Sequence, residues 1–390
     1  MKRPYILFLS VLLLAILLPV IAIYIPTSLP ANSDFSAIYN TDLALVHRVP
    51  IYDVTKVQAL AVQYAGIPPE KFFLARFPYP PWYALSTFYL GWMPAQAAAT
   101  LWFELNLVML FLSVWFLTDG WSGRLRLIAF PLALFFFPVV GALAIGQYDF
   151  PVLLGTSLLL YSLRRQNITS IVIGMLLLTF KPHIGTVILL FAGGWLIYNW
   201  DNLGRRAMRP LILAGVGLAI LGFLADPAWI ISYPKMLLGY QSEGNVSTCS
   251  ECASLPVSLS RWFFNGSLMN AIWIAVALIF LLLFILYLNR SFLNSAELLL
   301  SFAPLFTLLI NPYLYNYDFL LLLIPFAYLT RRGRFWEKIV VLLCYLIPTI
   351  ALLLYGRNGN LSLLFVTIVL VFLFFDRARK PVIDAHRLTA

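Results

Sequence analysis

Residues 1–26 read MKRPYILFLSVLLLAILLPVIAIYIP, and the reading of this stretch decides the fold. Lys2 and Arg3 precede an apolar run from Tyr5 to Ile25. A secretory leader also starts basic, but its apolar core is only about 7–15 residues and a small-x-small cleavage site follows it. This run is longer and no Ala-x-Ala-like site follows. About 20 apolar residues in a helix cross a bilayer, so the stretch is expected to remain as a first membrane span.

The same character recurs to the far end. The chain has 390 residues, 62% of them hydrophobic and only 11% charged. A soluble domain carries roughly a quarter charged residues, and this one lacks the polar side chains to cover a soluble globule. Backbone groups in lipid must pair within their own segment. The fold class is therefore an all-α polytopic membrane protein, a single integral domain over residues 1–390, with the bilayer as its first partner.

The formal net charge of +10 does not point to nucleic acid. Most of the 26 basic residues fall in tight groups between apolar runs: Lys2 and Arg3; Arg124 and Arg126; Arg164 and Arg165; Arg205, Arg206 and Arg209; Arg290; Arg331, Arg332, Arg334 and Lys338; and Arg377, Arg379, Lys380 and Arg387. Groups of this kind report topology, and they leave no continuous basic face for a duplex. With all of them in the cytoplasm, about twelve crossings result, near 5–25, 95–117, 127–146, 148–163, 167–180, 184–199, 210–225, 269–288, 296–310, 318–330, 337–354 and 360–375. Both termini are then cytoplasmic. The apolar run 82–93 spans only about 18 Å as a helix and reads as a partial or re-entrant helix. No internal repeat occurs.

This path leaves two long outer loops, 26–81 and 226–267. The first is expected to hold two short amphipathic helices lying at the membrane surface. One covers 36–47 after Ser33-Asp34. The other covers 54–65, with Val54, Val57, Leu60, Ala61 and Tyr64 on one face, Asp53 as N-cap and Gly66 as stop.

The path also gathers the unusual polar motifs on the non-cytoplasmic face. In SDFSAIYNTDLALVHRVPIYD (33–53), Asp34 reads either as a helix N-cap or as a carboxylate facing a cavity, acting as general base. Asp42 is not quite on the same helical face as Asp34, and Asp53 has a capping role. These carboxylates form no tight cluster, so no metal site is indicated. YPP (79–81) is a rigid turn that can wall a site. In GQYD (146–149), Asp149 reads as a cap for the following helix, while the Gln147 amide suits a sugar hydroxyl.

In TFKPHIG (179–185), Lys181 and His183 flank Pro182 inside an apolar region. An ionisable residue there is a functional candidate, against the alternative of snorkelling to the interface. Lys181 is the cation expected to meet a phosphate. NPYLYNYDF (311–319) combines tyrosine faces with amides, either an interfacial belt or a carbohydrate site through Tyr315, Asn316 and Tyr317. In the second outer loop, Cys249 and Cys252 can pair as a small disulfide, and a lone CxxC is weak evidence for zinc. Arg261 there, and Arg48 in the first loop, are further outer cations for phosphate. Phosphate-loop, zincin and nucleophile-elbow motifs are missing, and no soluble domain remains to bind a nucleotide sugar. A glycosyl donor would therefore be lipid-borne.

The ordered set of Asp34-Phe35, IYD at 51–53, YPP, Gly146-Gln147, Lys181-Pro182 and a late Pro-Tyr turn resembles glycosyltransferase family 87, within the C-type superfamily of integral membrane glycosyltransferases. The resemblance runs roughly from Asp34 to Asp318. It implies a C-type helical bundle that takes a sugar, often mannose, from a polyprenyl-phosphate carrier and transfers it to a lipid or glycan acceptor at the non-cytoplasmic face of the cell membrane. It implies Asp34 as the catalytic base, no cofactor and no metal. Where actinobacterial mannosyltransferases of the family read Pro-x-x-Trp-Asp-His, this chain has Tyr315, Asn316 and Tyr317 in place of Trp, Asp and His. A transporter or flippase of lipid-linked saccharides, and a polysaccharide polymerase, are the rival functions. Transporters tend to show repeated halves, which this sequence lacks.

Overall fold

The computed structural model describes residues 33–66, 70, 76–243, 252–264, 266–288, 292 and 295–379. The expected first crossing, 5–25, and Cys249 lie outside the described residues. Every regular element among the described residues is a helix. In chain order these are α1 (Phe35–Val46), α2 (Val54–Leu60), α3 (Pro81–Thr87), α4 (Ala95–Leu117), α5 (Gly123–Leu134), α6 (Phe137–Ile145), α7 (Asp149–Arg165), α8 (Ile168–Leu178) and α9 (Pro182–Tyr198), followed by α10 (Arg205–Ala225), α11 (Trp229–Glu243), α12 (Leu255–Phe263), α13 (Leu268–Leu288), α14 (Ala296–Ile310), α15 (Leu323–Arg332), α16 (Phe335–Tyr355) and α17 (Leu361–Arg379). Tighter 3₁₀ turns cover Phe88–Trp92, Asn316–Leu322 and Gly356–Asn360.

Five helices among these are long and apolar enough to cross a membrane: α4, α10, Met269–Tyr287 within α13, α16 and α17. A sixth crossing results if α5 and α6, bent by 56° at a short break, act as one span. Pro131 inside α5 and Pro138 in the first turn of α6 account for that break. Helices α8, α9 and α14 are apolar but have 11, 17 and 15 residues, at or below the length of a straight crossing. The expected count of about twelve is thus met by length and composition at five or six places in the described residues.

The bundle is layered by burial. Helices α7 and α14 are buried along nearly their whole length. Helices α10, α13 and α16 turn most of their apolar side chains outward, as lipid contact requires. Helices α7 and α8 pack with their backbones in close approach. A Cβ on Gly155 would lie 2.7 Å from the Gly174 carbonyl oxygen, and one on Gly174 would lie 2.8 Å from that of Gly155. Small residues let two backbones approach this closely where lipid gives no hydrophobic drive.

The first outer loop is more deeply integrated than its sequence implies. Helix α1 forms where expected, but ten of its twelve residues are buried, so it is enclosed rather than lying amphipathically at a surface. Gly91 permits this: a Cβ there would meet the Asp42 carbonyl oxygen at 2.4 Å. Helix α2 follows its expected signals. The Asp53 side chain accepts from the Lys56 amide at 3.2 Å, and a π-helical turn, Ala61–Ala65, ends at Gly66 with φ +65°. The run 82–93 forms α3 and a 3₁₀ turn, too short to cross.

The bundle has two chemically distinct ends. At one, Glu297 binds Arg164 at 2.9 Å, Arg331 at 3.2 Å and Arg332 at 3.3 Å. Arg165 binds Asp119 at 2.9 Å, and Arg377 binds Glu337 at 3.0 Å. At the other end stand Asp149, the first residue of α7, and Asn311, which follows α14. The 17 residues of α7 separate the two ends by about 25 Å.

Gly155→Ala is expected to lower the unfolding temperature in detergent, at a cost of about 1–3 kcal/mol, because its new methyl meets a backbone atom that cannot rotate away. Gly193→Ala in α9, where a Cβ meets nothing within 4 Å, is expected to be neutral or mildly stabilising.

Candidate active site

Four turns meet at the carboxylate end. The first is Asp34, at the start of α1. As N-cap it would turn its side chain onto the helix amides, but it makes no such bond. Its carboxylate instead accepts a short hydrogen bond from the Gln147 side-chain amide, with the Tyr317 side chain close enough to act on it electrostatically. The Asp34 backbone carbonyl accepts from the Tyr148 hydroxyl at 2.6 Å. Both the backbone and the side chain at this position are therefore anchored from across the fold.

The second turn joins α6 to α7. Gly146 ends α6 with φ +68°, a conformation that favours glycine. A Cβ there would also strike Phe35 Cβ at 2.7 Å. Trp102 donates to the Gly146 carbonyl at 2.9 Å, and Asn106 to that of Gln147 at 3.5 Å. This close approach of the turn to α1 aims Gln147 at Asp34.

The third turn, between α8 and α9, presents Lys181. Its side chain is only 2% exposed. The ammonium donates to Asp149 Oδ1 at 2.8 Å, to Asp318 Oδ1 at 2.6 Å and to Gln147 Oε1 at 3.4 Å. An ammonium carries three donors, and all three are met. Asp318 comes from the fourth turn, where its Oδ2 accepts from the Tyr315 amide at 2.6 Å. The Tyr317 ring lies 5.2 Å from the same ammonium and 5.3 Å from the Tyr315 ring, stacked on it.

An aromatic wall backs the cluster. Tyr79 of the YPP turn packs on Tyr148 at 4.3 Å, and Tyr83 stacks on Phe180 at 4.6 Å. The Tyr52 hydroxyl donates to the Tyr79 carbonyl at 2.7 Å, which ties the IYD motif to that wall. Asp42 lies apart, fully buried and accepting from Thr87 at 3.1 Å.

The expected residues therefore divide. Asp34, Gln147 and Lys181 come together in one hydrogen-bonded cluster, with the Tyr317 ring beside it and Tyr315 stacked on Tyr317. His183 lies one residue into α9; its backbone carbonyl accepts from Asn311 at 2.8 Å and its ring meets Tyr313 edge-on at 6.1 Å. Asn316 opens the 3₁₀ turn next to Tyr315. Arg48, with φ +56°, is exposed just past α1. Arg261 is exposed on the last turn of α12. That helix is docked beside the late turn, since Ala253 donates to the Leu314 carbonyl at 2.9 Å and Ser254 to that of Asn311 at 2.8 Å. Cys252, just before it, is disulfide-bonded, and Cys344 is free and buried.

Two residues emerge that the sequence reading left in lesser roles. Asp149 does not cap α7; it is a counter-ion of Lys181, and Asp318 is the other. The signal for both was available, because a buried lysine needs carboxylates and these two stand on the same set of turns. Among the described residues, no group of three or more His, Cys, Asp or Glu side chains is arranged to hold a metal ion.

The surroundings of Asp34 raise its proton affinity toward neutrality. Burial raises the Asp34 carboxyl from its usual 3.8 to about 6, with Lys181 opposing the rise, Asp318 adding to it, and the bonds from Gln147 and Tyr317 lowering it. Such a group is mostly ionised at pH 7 yet retains real affinity for a proton.

The model of glycosyltransferase family 87 matches residues 77–312, well over half of the chain. The chain belongs to glycosyltransferase family 87. The matched stretch contains Gln147, Asp149, Lys181, His183 and Arg261; Asp34 and Asp318 flank it on either side. This family 87 member is thus a membrane glycosyltransferase. No curated protein and no solved structure matches it.

Lys181→Met would strand Asp149 and Asp318 without a counter-charge. It is expected to cost about 3–5 kcal/mol, read as a lowered unfolding temperature in detergent. Adding Asp149→Asn and Asp318→Asn is expected to restore part of that loss, since the buried charges then disappear together.

Proposed function

We propose that this protein transfers a hexose, mannose foremost, from a polyprenyl-phosphate carrier to a hydroxyl of a lipid or glycan acceptor, with Asp34 as general base. The observation that carries the reading is the orientation of Asp34: a carboxylate at a helix start that ignores the helix amides and joins a polar cluster drawn from three distant turns. A group so held can accept a proton from an attacking hydroxyl.

In the reaction, the acceptor oxygen attacks the anomeric carbon from the face opposite the carrier. The new C–O bond forms as the bond to the phosphate oxygen breaks, and the hydroxyl proton passes to Asp34. The carrier leaves as polyprenyl phosphate, already a stable anion, so a general acid is unnecessary and the anomeric configuration inverts. Lys181 already faces two carboxylates, which makes the exposed cations Arg48 and Arg261 the candidates for the phosphate. Tyr315, Asn316, Tyr317 and His183 supply ring faces and polar groups beside the cluster for sugar and acceptor. By the bias of basic residues toward the cytoplasm, the arginine-rich end of the bundle faces inward and the site faces the non-cytoplasmic side, where a lipid-borne donor meets it. A flippase would need no such base.

Asp34→Asn is expected to lower transfer by at least about a hundredfold, measured as new glycolipid by mass spectrometry with polyprenyl-phosphate sugars and a membrane lipid extract. Full activity in a folded Asp34→Asn protein would refute the assignment. Because folding raises the proton affinity of Asp34, its burial costs stability as pH rises through about 6. The variant is therefore expected to unfold no earlier than wild type at pH 7. In wild type, kcat/KM is expected to rise with pH through about 6 and then level off, as Asp34 of the free enzyme loses its proton.

A further inference from the structure

The proposed mechanism uses Asp34 and leaves unexplained why a fully enclosed lysine and two enclosed carboxylates stand directly behind it. A buried ion-pair triad is poor value as a source of stability, because desolvating the charges offsets most of their attraction. Its geometry has a more specific consequence. The Gln147 amide has one acceptor end and one donor end. Its Oε1 accepts from the Tyr148 backbone amide at 3.2 Å and from Lys181 Nζ at 3.4 Å. Reversing the amide would direct its NH₂ at an ammonium and at a backbone N–H, three donors with no acceptor among them. The amide therefore has a single orientation, and in it the NH₂ faces the Asp34 carboxylate.

We propose that Lys181 is a positioning residue for Asp34: clamped by Asp149 and Asp318, it locks the Gln147 amide so that its NH₂ is always presented to the Asp34 carboxylate. Each contact in the chain has a defined task. Asp149 and Asp318 hold the ammonium in place at 2.8 and 2.6 Å. The ammonium occupies the acceptor end of Gln147. Gln147 then stabilises the ionised form of Asp34, which a hydrogen-bond donor favours over the protonated form. The Tyr317 ring lies 5.2 Å from the ammonium. The catalytic carboxylate is thus tuned by a charge that does not touch it. The inference rests on the reading of Asp34 as the base only for its catalytic meaning; the coupling itself is a property of the resting protein.

The groups whose charge or hydrogen bonds act on Asp34 are Lys181, Asp318, Gln147 and Tyr317, and they push in opposite directions, which makes the test signed. The protonation of Asp34 is followed by infrared difference spectroscopy during a pH titration of the purified protein in nanodiscs, without donor or acceptor, with Asp34→Asn used to assign the carboxyl band. In Lys181→Met the midpoint is expected to rise by about one pH unit or more, a tenfold gain in proton affinity. In Gln147→Leu it is expected to rise as well. If Lys181→Met does not fold, Gln147→Leu carries the test. Midpoints that stay within about 0.3 of wild type in the folded variants would overturn the proposal and leave Lys181 a purely structural ion pair. Shifted midpoints together with undiminished sugar transfer by Asp34→Asn would keep the coupling and remove Asp34 as the base, so the two readings fail separately.

Discussion

The Lys181 ammonium, enclosed by protein on all sides, is the interaction on which the rest of the structure depends. Such a charge is tolerable only if its donors are satisfied and its charge is balanced. No single helix can do both. One carboxylate stands at the start of α7, another in the 3₁₀ turn after α14, the lysine at the start of α9, and the amide between α6 and α7. Satisfying Lys181 obliges these turns to converge, and their convergence sets the register of the central helices. Helices α7 and α14 are accordingly buried along nearly their whole length.

The segment from α1 to α3 completes the arrangement. Helix α1 is buried almost all round because two glycines let neighbouring backbone come unusually close, Gly91 against the Asp42 carbonyl and Gly146 against Phe35. A surface helix would leave Asp34 in water, with an ordinary carboxyl proton affinity. Enclosure raises that affinity, while the lysine and the Gln147 amide restrain the rise. The outcome near 6 is a balance between burial and one displaced positive charge. The tyrosines beside the cluster complete the setting, Tyr148 gripping the Asp34 backbone and the Tyr317 ring lying beside the Lys181 ammonium.

The two ends of the bundle divide the labour. One concentrates arginines on a few acidic partners, with Glu297 serving three of them. The other holds mostly carboxylates, amides and tyrosines. About 25 Å of apolar helix separates them, a distance that matches most of a hydrocarbon core. The arginine-based ion pairs and the candidate site thus never compete for the same surface.

Much of this was legible in the sequence for a simple reason: composition and periodicity act locally. The scarcity of charge dictated a membrane fold. Apolar runs marked α4, α14 and the other long helices to within a few residues, and Asp53 and Gly66 announced the ends of the second short helix. Motif order identified the family and singled out Asp34, Gln147 and Lys181. What the sequence left open were properties that exist only between distant segments. On position alone Asp34 read first as a cap and only the family resemblance made it the base, because capping residue types and general bases are the same residues. Asp149 read as a cap for the same reason, and nothing local distinguishes it from the counter-ion it is. The first loop helix read as amphipathic because its burial depends on neighbours that begin some forty residues later. Residue type and spacing determined which side chains could carry the chemistry. Only the tertiary structure decided which of them touch, because desolvation and charge pairing arise when remote turns are brought within about 3 Å of one another.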